Sequence, residues 1–238
     1  MIRVAHLSKS FNGQKVLDDI NLEIGEGEIV AILGQSGAGK SVLLKHIIGL
    51  LKPDDGSVEM DGKNIALMSE DELLALRKRI GYLFQEGALY DFMTVEENVA
   101  FPLREHSTLS SKQIKEKVLA TLKSLDLVDI EGKYPSELSG GMKKRVALAR
   151  AIILDSKILL CDEPTSGLDP IRSRDISDLI RRVSRNLKCT TVLTSHDIDN
   201  SFRIADRIAI IEGYRLIACG TQDELKRSSD RFIQEFIS

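Results

Sequence analysis

The chain has 238 residues, of which 42% are hydrophobic and 29% are charged, and its formal net charge at pH 7 is −3. That length and apolar content are enough for one folded domain, or for one domain with an inserted lobe, and they exclude a disordered tail. Charges of both signs are interspersed, so the composition predicts no nucleic-acid partner, which would favour a broad basic surface.

The chain begins with residues that predict short strands. Apolar side chains alternate in residues 2–7 and recur in 16–24, and the turn signal Asn12-Gly13 lies between the two runs. Further short strands at 57–60 and 63–65 complete an expected antiparallel β lobe. Phe11 precedes the first turn, where its ring is equally consistent with stacking on a purine base and with packing in the core.

The segment after the next strand, 28–33, matches the phosphate-loop pattern G-x-x-x-x-G-K-[ST] at every fixed position, and residues 41–51 have the apolar spacing of a helix. Its glycines let successive backbone N–H groups turn inward around a polyphosphate, and the helix N-terminus adds partial positive charge. We expect Lys40 to reach the β- and γ-phosphates and the Ser41 hydroxyl to be a ligand of Mg²⁺. The predicted triphosphate site consists of Gly34, Gln35, Ser36, Gly37, Ala38, Gly39, Lys40 and Ser41.

A helix is predicted at residues 69–79, starting at the capping residues Ser69-Glu70-Asp71-Glu72. A buried strand follows at 80–84 and ends at Gln85. Ligands of α/β folds bind at the carboxyl ends of such strands, so Gln85 is a candidate site residue.

The middle of the chain, residues 86–154, has helical periodicity and little strand signal, and it is expected to be a helical lobe inserted between core strands. The predicted helices are 94–103, 110–125 and 140–154. We therefore expect a single domain over 1–238, with a core and β lobe in 1–85 and 155–238 and the helical lobe in 86–154.

Strands and helices alternate after residue 154, which is typical of a parallel, doubly wound sheet. A strand at 157–161 ends at Asp162-Glu163, and a strand at 190–193 ends at Ser195-His196-Asp197. The remaining predicted elements are a helix at 171–187, hairpin strands at 208–211 and 216–218 around Gly213, and terminal helices at 221–226 and 231–237.

The polar residues at these strand ends predict a hydrolytic site. Charges at the end of a buried strand are costly unless a metal or ligand compensates them. Asp162 is predicted to be a Mg²⁺ ligand, and Glu163 the general base that polarises the attacking water, with a structural ion pair as its alternative. His196 is expected to hydrogen-bond the γ-phosphate. Gln85 is expected to position water or Mg²⁺.

A second anion-binding element is predicted at Leu138-Ser139-Gly140-Gly141-Met142. Ser139 is a good N-cap, and the two glycines expose N–H groups at the start of the next helix. Two phosphate-binding elements in one chain suggest that two chains meet head to tail, each capping the other's nucleotide. A simple capped helix would explain the serine but not the double glycine.

The order of these motifs resembles the nucleotide-binding subunit of ABC transporters over essentially the whole chain. In that family Phe11 occupies the position of the adenine-stacking aromatic, Gln85 is the Q-loop and His196 the switch histidine. The resemblance implies an α/β fold with a P-loop NTPase (RecA-like) core, ATP and Mg²⁺ as cofactors, a homodimer around two Mg-ATP, and integral-membrane permease subunits as partners. The other matching segments are 34–41 (Walker A), 138–142 (signature), 159–163 (Walker B) and 166–169 (D-loop), through which Asp169 is placed at the nucleotide.

Residues 84–91 and 97–106 resemble a narrower group, the ATPases of bacterial phospholipid transporters that maintain outer-membrane lipid asymmetry and work with MCE-domain partners. Related plastid lipid importers share the pattern. Some members carry a C-terminal extension that docks a neighbouring subunit or a small STAS-domain partner. The resemblance implies a peripheral protein on the cytoplasmic side of the inner membrane.

Other functions within and beyond this family are open at this point. An importer of amino acids or another polar solute has the same cassette, because the cassette binds ATP and the cargo is bound by its partners. A soluble ABC ATPase of translation or DNA repair would usually have tandem cassettes or long coiled-coil insertions. A nucleotide-dependent regulator without turnover would not require the intact pair Asp162-Glu163.

Cysteine usage and hydropathy indicate the compartment. The three cysteines are far apart, form no C-x-x-C pair and are odd in number, so we expect free thiols in a reducing cytosol. The sequence shows no charged-then-apolar signal segment and no apolar run near the ~18 to 20 residues that cross a bilayer. Any membrane role is therefore expected to be peripheral.

Overall fold

A computed structural model describes residues 1–237 of the chain. Its strands are β1 (Ile2–Phe11), β2 (Gln14–Ile24), β3 (Ile29–Leu33), β4 (Asp55–Met60), β5 (Lys63–Asn64), β6 (Ile80–Leu83), β7 (Ile158–Asp162), β8 (Thr190–Ser195), β9 (Arg207–Glu212) and β10 (Arg215–Gly220). Its helices are α1 (Lys40–Ile47), α2 (Glu70–Arg77), α3 (Val95–His106), α4 (Ser111–Ser124), α5 (Gly140–Ile152), α6 (Pro170–Leu187), α7 (Ile198–Ile204), α8 (Gln222–Lys226) and α9 (Arg231–Ile237).

The strands form two sheets. The smaller has the order β2-β1-β4-β5 and is antiparallel, which confirms the predicted β lobe. The larger has the order β10-β9-β3-β8-β7-β6. Strands β9, β3, β8, β7 and β6 run parallel, and only β10 runs antiparallel, as the partner of β9 in the predicted hairpin. The α/β fold with a mainly parallel core sheet is therefore confirmed.

Strand β3 divides the hydrophobic core in two, because successive side chains of a strand point to opposite faces. Ile29, Ala31 and Leu33 pack with the buried side chains of α3 to α9. Val30 and Ile32 face the other way and pack with the β lobe, α1 and α2. The sheet is thus covered on both faces, which leaves its strand ends as the place where polar side chains reach solvent.

Capping chemistry sets the starts of several helices. The side chains of Ser69, Thr94 and Ser110 accept hydrogen bonds from the backbone three residues on, and Glu or Gln at that third position bonds back, forming capping boxes.

Residues 86–154 hold α3, α4 and α5, and their buried side chains join the core cluster of the larger sheet. The division of the chain into 1–85, 86–154 and 155–238 stays a prediction.

Two local features differ from the sequence-based expectation. Strand β1 extends to Phe11 instead of residue 7, and register shifts between Val4 and Ser10 break the alternation that the pattern relies on. Helix α7 was not predicted, because seven residues that begin right after a polar strand end give little periodicity; Asp197 caps it by accepting from the Asn200 N–H.

Among residues 1–237, no helix has both the length and the apolar character needed to cross a membrane.

Candidate active site

The carboxyl ends of the neighbouring strands β3, β8, β7 and β6 lie along one edge of the larger sheet. Together with the loop between β3 and α1 they enclose a cleft of about 430 Å³. The sequence-predicted residues that line this cleft are Ser36, Gly37, Ala38, Gly39, Lys40, Ser41, Gln85, Glu163 and His196, joined by Val16, Val42 and Ser166.

The phosphate loop is packed so closely that side chains are excluded at two of its glycines. A Cβ on Gly34 would lie 2.6 Å from the Ile211 carbonyl oxygen, and one on Gly39 would lie 2.5 Å from the Val16 carbonyl oxygen. Gly39 also has a backbone φ of +90°, which residues with a Cβ rarely adopt. The glycines therefore determine where the loop runs and place Lys40 at the first position of α1.

Lys40, Glu163 and His196 form a connected row of side chains at the cleft. The Lys40 ammonium is buried, donates to the Gly34 carbonyl at 2.8 Å and lies 3.2 Å from Glu163 Oε1. On the other side, Glu163 Oε2 lies 2.7 Å from His196 Nδ1. Glu163 has a φ of +46°, a conformation that costs a non-glycine residue about 1–2 kcal/mol. The fold thus holds the Glu163 carboxylate at the cleft by its contacts with Lys40 and His196, at the cost of a strained backbone.

Asp162 lies beneath this row and accepts hydroxyl hydrogen bonds. Ser41 Oγ donates to its Oδ1 at 2.7 Å, Thr194 Oγ1 donates to the same oxygen at 2.8 Å, and the Tyr82 hydroxyl is 3.4 Å from Oδ2. Burial, and then the charge of Asp162, raise the pKa of Tyr82, so that its hydroxyl remains a donor. Because the Ser41 hydroxyl donates its hydrogen bond to Asp162, the lone pairs of the Ser41 oxygen remain available to a cation. A hydroxyl oxygen beside a carboxylate fits Mg²⁺, which prefers oxygen ligands and few protein groups.

The loop after β6 carries Gln85 to the cleft. The Gln85 side chain is exposed and its Nε2 is 3.4 Å from Ser166 Oγ, a long contact, while its backbone carbonyl accepts from Lys144 Nζ. Burial lowers the pKa of Lys144, whose side chain is on α5. Arg150, also on α5, donates to the carbonyls of Gly87 and Ala88 at 2.8 Å. Helix α5 is therefore tied to this loop by two side chains, which donate to three backbone carbonyls of the loop.

Phe11 does not line the cleft. Its side chain is 41% exposed, and the ammonium of Lys9 lies 5.5 Å from its ring centroid. Such exposure does not fit a core residue, and purine stacking by Phe11 stays a prediction.

Ser139, Gly140, Gly141 and Asp169 also lie outside the cleft of their own chain. Ser139 caps α5 by accepting from the Met142 N–H at 3.4 Å; Gly140 is exposed and Gly141 is half-buried. Asp169 caps α6. The hydrogen bonds that its carboxylate accepts from backbone N–H groups, that of Arg172 first, lower the pKa of Asp169. The two helix starts form a polar surface separate from the phosphate loop.

The sequence interpretation missed Val16, Val42, Ser166 and Thr194. Val16 reaches the cleft from the β lobe, and nothing in the local pattern marks it. Ser166 belongs to the 166–169 motif but was given no role. Thr194 stands in a strand whose six residues are all buried, where a hydroxyl is the only signal of a polar partner.

A second cleft of about 590 Å³ is lined in part by Phe84 and Ala88, which flank Gln85 in the loop that follows β6. Its lining is aromatic and basic and includes no Asp or Glu. Asn98, fully buried, accepts from the Tyr90 N–H and donates to the Tyr90 and Met93 carbonyls, which fixes the turn that exposes Phe92. The aromatic and basic side chains of this cleft are Tyr82, Phe84, Tyr90, Phe101, Arg77, Lys78, His106 and Arg150.

The strand, glycine loop and helix at 29–47, with Asp162 and Glu163 at the end of a nearby strand, define a phosphate-loop NTPase. Residues 17–166 match the model of the ABC transporter family. The chain belongs to this family, and it is an ABC ATPase, which binds and hydrolyses ATP.

Three curated relatives match the whole of this chain. The chain is 40% identical over 237 residues to the probable ribonucleotide transport ATP-binding protein mkl of Mycobacterium leprae and covers 68% of it. It is 42% identical over 237 residues to the intermembrane phospholipid transport system ATP-binding protein MlaF of Haemophilus influenzae and covers 90% of it. It is 42% identical over 243 residues to the methionine import ATP-binding protein MetN of Mannheimia succiniciproducens and covers 70% of it.

A solved structure has the same fold. It is the dimeric, post-hydrolysis state of the ATP-binding cassette MJ0796 bound to ADP and Pi, which superimposes with a TM-score of 0.84 at 32% identity. The superposition covers 93% of this chain and 98% of that one.

Proposed function

We propose that this ABC ATPase is a peripheral subunit on the cytoplasmic side of the inner membrane and that it powers a permease moving phospholipid between the inner and outer membranes. The observation that supports the hydrolytic part is the convergence of Lys40, Ser41, Glu163 and His196 on one cleft, with Asp162 directly beneath it.

The residues of the cleft have separate roles in the proposed hydrolysis of ATP. The N–H groups of the phosphate loop and Lys40 bind the phosphates of ATP. Ser41 and Asp162 would hold Mg²⁺, which would supply positive charge to the phosphate oxygens. Glu163 accepts a proton from a water molecule as the water oxygen attacks the γ-phosphorus and the bond to the bridging oxygen of ADP breaks. His196 keeps the carboxylate of Glu163 facing the cleft. Gln85 orients the water or the cation.

A dimer would complete the site. Ser139 to Gly141 and Asp169 lie outside the cleft of their own chain, yet the helix start at Ser139 presents exposed N–H groups suited to an anion. In a two-fold symmetric dimer this surface would face the phosphate loop of the partner copy. The dimeric state of the MJ0796 cassette supports this arrangement. Closure of two copies around two Mg-ATP, followed by hydrolysis and reopening, would then drive the permease.

The second cleft is the proposed contact with the permease. It combines aromatic walls with four basic side chains and lies against the loop that carries Gln85. The exposed ring of Phe92 and the partly exposed ring of Tyr90 extend the same apolar surface. A permease segment with apolar and acidic side chains would fit, and α5 would carry its movement from Gly87 and Ala88 to Ser139.

The phospholipid cargo is supported by the segments 84–91 and 97–106 and by the relative named for intermembrane phospholipid transport. On this proposal MCE-domain proteins are partners of the complex, and a STAS-domain protein is a further candidate partner. The relative named for methionine import supports a second candidate, the import of a polar solute such as an amino acid.

Purification of the chain from its native membranes in mild detergent, with mass spectrometry of co-purifying proteins and lipids, tests the proposal. A permease, an MCE-domain protein and bound phospholipid are the expected result. A polar-solute permease with a soluble binding protein would overturn the cargo and retain the ATPase. Recovery of the chain alone, or with ribosomes or DNA, would contradict the transporter role.

A further inference from the structure

Thr194 connects Asp162, the last residue of β7, with Glu163, which follows it. It lies in β8, fully buried, and its Oγ1 donates to Asp162 Oδ1 at 2.8 Å and accepts from the Glu163 N–H at 2.9 Å. We propose that Thr194, assisted by Tyr82, is a positioning residue for ATP hydrolysis that fixes Asp162 and Glu163 relative to each other. This inference rests on the roles proposed above for those two residues.

The direction of each hydrogen bond follows from proton counting. A backbone N–H can only donate, so the Thr194 oxygen must be the acceptor for Glu163, and its single hydroxyl proton is directed to Asp162. Asp162 Oδ1 therefore accepts two hydroxyl protons, from Ser41 at 2.7 Å and from Thr194 at 2.8 Å. With both lone pairs of Oδ1 engaged, the carboxylate cannot rotate without losing a charge-assisted hydrogen bond.

Tyr82 holds the carboxylate from the opposite side. Strand β7 lies between β6 and β8 in the sheet, so Tyr82 on β6 and Thr194 on β8 approach Asp162 from its two neighbours. The Tyr82 hydroxyl is 3.4 Å from Asp162 Oδ2, a longer contact than that of Thr194. Its ring packs against Phe84 with centroids 4.3 Å apart, which fixes its direction. Thr194 is thus the stronger of the two constraints.

The bond to Glu163 matters because the backbone there is strained. Glu163 has a φ of +46°, and its N–H has Thr194 Oγ1 as its acceptor. Removing that acceptor leaves the Glu163 N–H without a hydrogen bond. The strained backbone at Glu163 then loses a stabilising contact and should relax to a different conformation. Relaxation would move the Glu163 carboxylate away from Lys40 and His196. A single buried hydroxyl therefore supports both the cation ligand and the base.

The test compares two isosteric substitutions on one strand. Thr194→Val removes the hydroxyl at the site and keeps the shape of the side chain. Thr191→Val is the matched control, because Thr191 is also fully buried in β8 but donates to Ser184 Oγ at 2.7 Å, away from the cleft. Loss of hydrogen bonds to a charged group predicts that Thr194→Val lowers kcat and raises the Mg²⁺ concentration for half-maximal hydrolysis, each by about tenfold. Thr191→Val should leave both values unchanged, and Thr194→Ser should restore them.

Two further readouts do not depend on turnover. The Tm increase that Mg²⁺ adds to that given by ADP alone should shrink in Thr194→Val and persist in Thr191→Val. In the wild type, amide exchange resolved at Glu163 by NMR should be slow, as for a strand residue, which can be measured even if Thr194→Val does not fold. Tyr82→Phe should show a smaller change of the same sign.

The outcomes separate this inference from the proposed function. Wild-type protein without Mg²⁺-dependent ATP hydrolysis would contradict the roles of Asp162 and Glu163 themselves. An active wild type, with Thr194→Val indistinguishable from Thr191→Val in kcat and Mg²⁺ dependence, would overturn the positioning role alone. Fast exchange at the Glu163 amide would overturn it as well.

Discussion

His196 Nδ1 lies 2.7 Å from Glu163 Oε2, although the His196 side chain is 68% exposed and that of Glu163 only 13%. The exposed ring covers the inner carboxylate, whose other oxygen is 3.2 Å from the Lys40 ammonium. One group therefore orients the carboxylate from the solvent side and another from the phosphate loop. These two contacts hold the Glu163 carboxylate at the cleft, where the proposed function requires the group that accepts a proton from water.

Glu163→Gln should retain ATP binding and lose turnover. The amide keeps the size of the side chain but cannot accept a proton from water, so hydrolysis should fall by about 10² to 10⁴-fold, the usual contribution of a general base. Phosphate release and nucleotide affinity are the measurements. Glu212→Gln is the control, because Glu212 ends β9 of the same sheet but does not line the cleft. Near-normal hydrolysis by Glu163→Gln would contradict the assignment.

Ser139→Arg should retain nucleotide binding and abolish the ATP-dependent dimer. Ser139 lies outside its own cleft, so a long cation there should leave the phosphate loop intact but block the approach of a second copy. Gel filtration with ATP in a Glu163→Gln background measures the dimer. Ser139→Ala is the control, because it loses the same helix cap, worth ~1 kcal/mol, without adding bulk. Persistent dimers of Ser139→Arg would exclude this surface from the interface.

Two glycines of the phosphate loop should respond differently to alanine. Gly37 and Gly39 have φ values of +82° and +90°, so alanine is strained at both. A Cβ on Gly37 has nothing within 4 Å, whereas one on Gly39 lies 2.5 Å from the Val16 carbonyl oxygen and 2.8 Å from Leu17 Cδ2. Urea unfolding should show Gly39→Ala to be less stable than Gly37→Ala by about 1–3 kcal/mol, the usual cost of overpacking. Equal stabilities would mean that the loop moves away from β2 without cost.

Much of the fold was predictable because its signals are local. The glycines and Lys40 have fixed spacings between a buried strand and a helix, and Asp162, Glu163 and His196 follow apolar strands directly, so their common edge follows from parallel pairing. The hairpin at Gly213 was equally clear.

Features that depend on distant packing were not predictable. A threonine in a buried strand does not reveal its hydrogen-bond acceptor, so Thr194 was overlooked. The packing of the β lobe on the core decides which of its residues reach the cleft. Val16 lines the cleft and Phe11 does not. The contribution proposed for Ser139 depends on a second copy, which no single chain can display.

Stability should decline below pH 6.5 because of His46, a buried residue of α1. His46 is 1% exposed, and burial lowers its pKa from 6.5, with Lys9 acting in the same direction and the Val42 carbonyl and Asp54 against it. Its Nδ1 is 2.8 Å from that carbonyl oxygen, and its Nε2 has no hydrogen-bond partner within residues 1–237. The unfolded chain therefore binds a proton near pH 6.5 that the folded chain takes up only at lower pH.

The sign follows from linkage. Where the unfolded state binds more protons, the free energy of unfolding falls as pH falls, here by at most about 1.4 kcal/mol per pH unit between 6.5 and the lowered pKa. Urea unfolding at pH 7.5 and 5.5 should give a larger loss for the wild type than for His46→Gln, which does not titrate. His106→Gln, which removes an exposed histidine at the end of α3, should keep the wild-type loss. Identical losses for the wild type and His46→Gln would show that His46 gains its proton as readily in the folded chain as in the unfolded one.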